Sequence, residues 1–535
     1  MLTFKEIIHE IRKFGLEYCD LPTMLENVSI LLRVLTVNID SKYKKGITIL
    51  SYIVTAVTAA CFYYVFLFSM TWFVFWRSRI TGELVGAMVV LSLGISSEIG
   101  PFKLFYMCYY MDKTQKIADS FLECDANTIK GTRFHTNLMK RLRSVKKRAM
   151  LYWVVVAGNG VLYVMKPVAM RGRNLPENYF LIYGLEPMFE TPNYQIAYFM
   201  MIASVFFVCY VPASVTAFLI VITGYAEAQM LALSEEMLQL WSDATNHAKA
   251  QTEGMSEELD VYDPKVKMII NQFVERRLRE IIGRHANVIN LLNQVEIVFR
   301  QAIAIGFVLL VLGLLSELLG KLENTFLQLP FALMQVSMDC FAGQRVMDAS
   351  AMFEASVYDC KWENFDKSNM KLVLVMLQNA QKTMTLSAGG VRTLSFSALM
   401  SVFRGIYSAY TALRMRNYKR KTERGKVSIE LKPLPKAPPR LSKTNKRRIR
   451  KSAILTDTPE KNALAEEKET RGKSNSKIKK QKVEKRVGKK KTAVTIKRNK
   501  KEASESAYVV MCENVKRKVL QEDADESDSE VDSME

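Results

Sequence analysis

The chain has 535 residues, 49% of them hydrophobic with 28 Met and 27 Phe, yet it carries a formal charge of +21. The two facts belong to different stretches: residues 1–417 hold 41 basic and 35 acidic side chains, residues 418–535 hold 34 and 19. An apolar, nearly neutral body followed by a basic polar segment argues against an ordinary soluble enzyme and against a protein that only binds nucleic acid.

The start, MLTFKEIIHEIRKFG, is charged throughout and is not a secretory leader. Insertion therefore falls to internal segments, and windows of about 20 mostly apolar residues are long enough to cross a bilayer. Seven such windows occur, near 47–76, 84–110, 151–166, 196–223, 297–319, 325–341 and 394–413. Glu98, Pro101 and Lys103 interrupt the second, which predicts a kink or a helix lining a cavity. Segments 1–46, 111–148, 224–300 and 342–385 together hold 30 Lys and Arg, and the intervening loops hold six. Cationic loops stay cytoplasmic, so the expectation is a cytoplasmic N-terminus and seven crossings. That polarity is the reverse of a G-protein-coupled receptor, and neither a DRY-like triplet nor an NPxxY motif is present.

The large loop carries VKMIINQFVERRLREIIGRHANVINLLNQVEIVF, apolar at three- and four-residue spacing, which predicts a cytoplasmic extension of the fifth helix. Segment ASAMFEASVYDCKWENFDKSNMKLVLVMLQNAQ reads as two amphipathic helices joined by WENFDKSN. The expected fold class is thus all-α: a seven-transmembrane helical protein whose helices 4 to 7 extend into a cytoplasmic domain.

In the last span Ser397, Ser401, Arg404, Ser408 and Thr411 recur at spacings of 4, 3, 4 and 3 and share one helix face. Hydroxyls with a cation suit one wall of an aqueous pore, which a single helix cannot enclose, so this reading requires several subunits. Close helix packing with a snorkelling or paired Arg404 is the alternative.

From CFAGQRVMDASAM through KWENFDKSN to SFSALMSVFRGIYSAYTALR, the chain resembles the C-terminal signature of insect odorant receptors. Gly343, Ser350, Tyr358 and Trp362 fall at landmark positions of that family. The resemblance implies an odorant-gated, non-selective cation channel in the dendrite membrane of olfactory neurons, heterotetrameric with a shared co-receptor. It also implies a pore lined by the last helix, a subunit anchor at the cytoplasmic ends of helices 4 to 7, and an odorant pocket among the outer halves of helices 2 to 6. By depth the pocket candidates are Met88, Asn159, Leu162, Met165, Tyr198, Met201, Ile202 and Phe331, with ordinary helix packing or lipid contact as the alternative for each. The aromatic loop 171–195 is a candidate cap or a plain connector. A gustatory-type receptor is a related alternative, but AYTALRMR stands where that family closes with a TYhhhhhQF-type motif, h being hydrophobic.

The resemblance stops at residue 418. KTNKRRIRK, SKIKKQKVEKRVGKKK and the acidic end EDADESDSEVDSME lead to an expectation of disorder. KRRIRK admits nucleic-acid binding as well as plain solvation. SAILTDTPEKNALAEE is similar, over a short stretch, to the charged C-terminal region of transposon-derived endonucleases, which suggests a fused mobile-element or chimeric segment. The eight cysteines and four histidines are scattered, so no disulfide framework, metal site, cofactor or catalytic constellation is expected. The sequon Asn27-Val28-Ser29 lies on the predicted cytoplasmic side.

Overall fold

A computed structural model of the protein describes residues 12–40, 46–177, 181–252, 263–320 and 328–423. The expected disorder of the basic segment concerns residues that, from 424 on, lie outside the described ones. The described part is helical: α1 (Leu21–Val34), α2 (Ile49–Thr81), α3 (Leu84–Tyr109), α4 (Met111–Ala126) and α5 (Arg133–Ala169) are followed by α6 (Asn193–Thr252) and α7 (Pro264–Leu319). Then come α8 (Gln328–Tyr358), α9 (Lys367–Ala380), a small hairpin of β1 (Ser387–Ala388) and β2 (Arg392–Thr393), and α10 (Phe396–Glu423).

Among the described residues five helices, α2, α3, α5, α6 and α7, are long and apolar enough to cross a membrane. The two remaining expected spans, in α8 and α10, are more polar: α8 carries Gln328, Gln335 and Asp339, and α10 carries Arg404 and its hydroxyls. Both nevertheless pack into one apolar cluster with α3 and α7, built from Ile99, Leu310, Leu314, Ala332, Val336, Cys340, Leu399 and Ile406. The axis of the bundle is α6, which touches α1, α2, α3, α5, α7 and α8.

The interruption in the second span resolves into two features. The helix is interrupted at Glu98, between Ser97 and Ile99. Lys103 turns into the bundle and is buried. Its ammonium lies 2.8 Å from the Asp339 carboxylate on α8 and donates to Thr216 Oγ1 on α6 at 3.2 Å, with Lys103 and Asp339 each 1% exposed. A charge in the hydrocarbon region persists when it is paired and hydrogen-bonded, and this pair with Thr216 ties α3, α6 and α8 together.

The extramembrane extension is broader than helices 4 to 7. The segment α5 starts eighteen residues before the expected span, capped by Thr132, which accepts a bond from His135 N. Phe134, Leu138, Leu142 and Val145 are buried along one face of this basic stretch, so KRLRSVKKR is helix and not loop, and its Lys146 is buried too, donating to the Lys13 carbonyl at 2.7 Å. Ion pairs knit the extension: Arg133 to Glu236 at 2.9 Å and to Asp243 at 2.6 Å, and Arg148 to Glu227 at 2.6 Å with Arg345 on the same carboxylate. His285 of α7 is buried with its ring 4.5 Å from that of Phe353, and desolvation pulls its pKa down to about 4. Asn27 is 6% exposed and its amide donates to the Lys13 carbonyl at 3.0 Å, a site with no room for a glycan.

The hairpin is a departure from the all-helical expectation. Gly389 and Gly390 take positive φ in its turn, where a side chain is strained. Its Gly389 N–H donates to the Arg300 carbonyl at 2.8 Å, docking the strand pair on α7. Gly343 of α8 serves the same region: a Cβ there would meet Leu394 Cβ at 2.4 Å and the Leu394 carbonyl oxygen at 2.5 Å. The segment entering α10 therefore lies directly against α8.

Three outcomes are expected from thermal unfolding of the purified protein. Lys103→Met, which strands the Asp339 charge, costs about 3–5 kcal/mol, and the double change Lys103→Met with Asp339→Leu recovers most of it. Gly343→Ala costs about 1–3 kcal/mol, because the contact atom is backbone and cannot swing away. His285 is neutral when folded and titrates near 6.5 when unfolded. Its contribution is therefore complete above pH 6.5 and is lost as pH falls toward 4, about 3 kcal/mol in all; His285→Phe flattens that slope.

Candidate functional site: an outer cavity and the last helix

Two π-helical segments, Tyr63–Ser69 and Phe73–Arg77, interrupt α2. Such wider turns shift the helix face, and the first turns Val65 and Phe66 inward, where both are buried. With Leu93 of α3, Tyr163 of α5, Met201 and Val205 of α6, and Pro176 and Glu177 of the following loop, they line a tight cavity with a free volume of about 10 Å³. The loop is held over it. Tyr64 OH donates to the Tyr183 carbonyl at 2.9 Å, and the Tyr183 ring meets Phe68 and Trp72 edge-on at 5.5 and 5.2 Å. Glu177 is 4% exposed, and its carboxylate accepts from Gln328 Nε2 at 3.3 Å and from Tyr163 OH at 3.4 Å. The chamber is apolar and aromatic with one hydrogen-bonding corner, a composition suited to a small, weakly polar molecule.

Of the eight pocket candidates, Met201 alone lines this cavity. Asn159, Leu162 and Phe331 instead share an open groove of about 1,070 Å³ between α5 and α8, whose wall includes Val154, Val161 and Leu162, each more than half exposed on the apolar surface of the bundle. Met88 and Ile202 are half-buried and line neither space. Met165 is 51% exposed, and Tyr198 stacks on Tyr194 at 6.1 Å. On α5, Leu162 points outward and its neighbour Tyr163 inward, as adjacent helical residues are about 100° apart. The signal that would have found Val65 and Phe66 is the aromatic run YYVFLFS, dense enough to belong to a chamber wall.

The five polar residues of α10 fall on one side. Arg404, Ser397 and Ser408 are exposed and Ser401 and Thr411 half-buried, whereas Ala398, Leu399 and Ile406 on the other side are buried against the bundle. Arg392 of β2 donates to Ser401 Oγ at the base of this stripe. The landmark residues sit along the route into α10. Gly343 abuts Leu394, Ser350 Oγ accepts from Met384 N at 3.1 Å, and half-buried Tyr358 and Trp362 end α8 and open the turn before α9. A further link runs from Arg148 over the Phe341 ring at 5.7 Å to Phe396, whose ring lies 6.1 Å from Phe341.

The 7tm Odorant receptor family model matches residues 83–407 of the chain. Odorant receptor 22c of Drosophila melanogaster is 26% identical over 153 residues, which are 27% of this chain and 38% of that relative, so the match spans well under half of the relative's length. Among solved structures, the insect olfactory receptor OR5 from Machilis hrabei has a TM-score of 0.56 at 11% identity, covering 73% of this chain and 97% of that one. The same receptor in complex with eugenol has a TM-score of 0.51 at 12% identity, covering 74% and 98%. At those identities the likeness shows the fold. The family match extends over more than half of the sequence, and the chain belongs to the seven-transmembrane odorant receptor family.

Proposed function

We propose that this receptor is a subunit of an odorant-gated, non-selective cation channel. It assembles as a heterotetramer with the shared odorant co-receptor in the dendritic plasma membrane of olfactory neurons. The observation that carries this reading is the divided surface of α10: Leu399 and Ile406 are buried against the bundle, while the hydroxyl and Arg404 stripe lies on the opposite side, flanked there by exposed Met400 and Tyr407. Repeated around a fourfold axis, such helices line a water path with hydroxyls. The 30-to-six loop asymmetry favours a cytoplasmic N-terminus, with the extensions of α5 to α9 on the same side.

Odorants enter the capped outer cavity. In this structure its free volume of about 10 Å³ is that of a single water, so a volatile molecule enters by spreading the cavity's walls; the related Machilis receptor is solved with eugenol. Filling the cavity displaces α3 or α6, and both meet α8 at the Lys103–Thr216–Asp339 cluster. The helix α8 in turn abuts the entrance to α10 at Gly343. A ligand that prefers one arrangement of these packed helices shifts the channel population accordingly. The basic extension after residue 417 is dispensable for this activity.

Currents recorded from cells expressing the chain with the co-receptor, over a panel of volatile ligands, test the reading. Met201→Phe, which crowds the cavity wall, is expected to raise the half-activating concentration at least about tenfold, about 1.4 kcal/mol of lost binding. Leu162→Phe on the outer surface leaves it unchanged, and a chain ending at Asn417 responds as the full one does. Absence of any ligand-evoked current, or equal effects of the two substitutions, contradicts it.

A further inference from the structure

We infer that Arg404 places a fixed positive charge on the ion path and makes this subunit discriminate against divalent cations. The inference rests on the pore assignment above and extends it from where ions pass to which ions pass. Arg404 is exposed on the face of α10 opposite buried Leu399 and Ile406. No Asp or Glu follows it in the sequence until Glu423, and among the described residues it has no hydrogen-bonding or ion-pair partner. A second cation adjoins it, since the Arg392 guanidinium binds Ser401 Oγ less than one helical turn below.

Two guanidiniums along one stripe, without a carboxylate, are costly against lipid and are relieved by water. A permeating ion passing such a charge in water at about 5 Å is disfavoured roughly fourfold if monovalent and by about the square of that if divalent, less when salt screens the field. The subunit therefore lowers the calcium-to-sodium permeability ratio by about two- to fourfold per Arg404 in the ring. Hydroxyl-lined walls alone carry no such valence preference. In a mixed tetramer the number of these subunits then sets the calcium entry that accompanies a response.

Bi-ionic reversal potentials for sodium against calcium, measured on the full chain with its co-receptor, test this. Arg404→Gln is expected to raise the permeability ratio about two- to fourfold and Arg404→Lys to keep the wild-type value. A second measurement needs no change at Arg404: in Ser408→Cys, an anionic thiosulfonate reacts faster than a cationic one, relative to their rates with a free thiol. An unchanged ratio in Arg404→Gln, or no charge preference in a Ser408→Cys channel that does react, overturns the inference and leaves the pore assignment standing. A Ser408→Cys channel that conducts while its introduced thiol is blind to both reagents overturns both.

Discussion

A bilayer solvates charge poorly and offers no hydrogen bonds, so each polar side chain in a spanning helix needs a partner in the protein or access to water. That constraint organises this receptor. Lys103 and Asp339 lie deep in the bundle and answer each other across α3 and α8, with Thr216 of α6 as a third member. Glu177, Gln328, Tyr163 and Ser92 form a chain of hydrogen bonds beside the outer cavity. Glu98 and Glu317 are exceptions, with carboxyl oxygens buried without a hydrogen-bonding partner among the described residues, and the stripe on α10 differs again in being exposed, with Arg392 reaching Ser401.

Under the proposed function, the same rule links the small cavity to a distant helix. The residues around the cavity belong to α2, α3, α5 and α6, and two of these helices are fastened to α8 by a buried charge pair that cannot be separated cheaply. Close packing, with backbone against backbone at Gly343 and Leu394, leaves α8 little freedom to move without the entrance to α10. The extramembrane ion pairs around Glu227 and Glu236 hold the other ends of α5, α6 and α8 in register.

Much of this was legible in the sequence, because hydropathy over about 20 residues reports a span directly and the 4, 3, 4, 3 spacing reports a helix face. The extension of α5 escaped notice because KRLRSVKKR reads as a cationic loop, although Phe134, Leu138 and Leu142 recur at helical spacing within and before it. The hairpin was signalled by Gly389-Gly390 between short strand-like runs. The partnership of Lys103 with Asp339, 236 residues apart, leaves no local trace. Neither does the inward turn of Phe66, which depends on a π-helical turn, nor that of Tyr163 beside outward Leu162.

The central claim is that one face of α10 meets water and the other meets the bundle. Single cysteines introduced in place of Ser397, Ser401, Ser408 and Thr411, and of Leu399 and Ile406, probed with a water-soluble thiol reagent during ligand-evoked current, address it most directly. The account predicts fast modification at the first four positions and protection at the last two. Uniform protection along the helix, or modification at Leu399 and Ile406 in place of the hydroxyl positions, would contradict it.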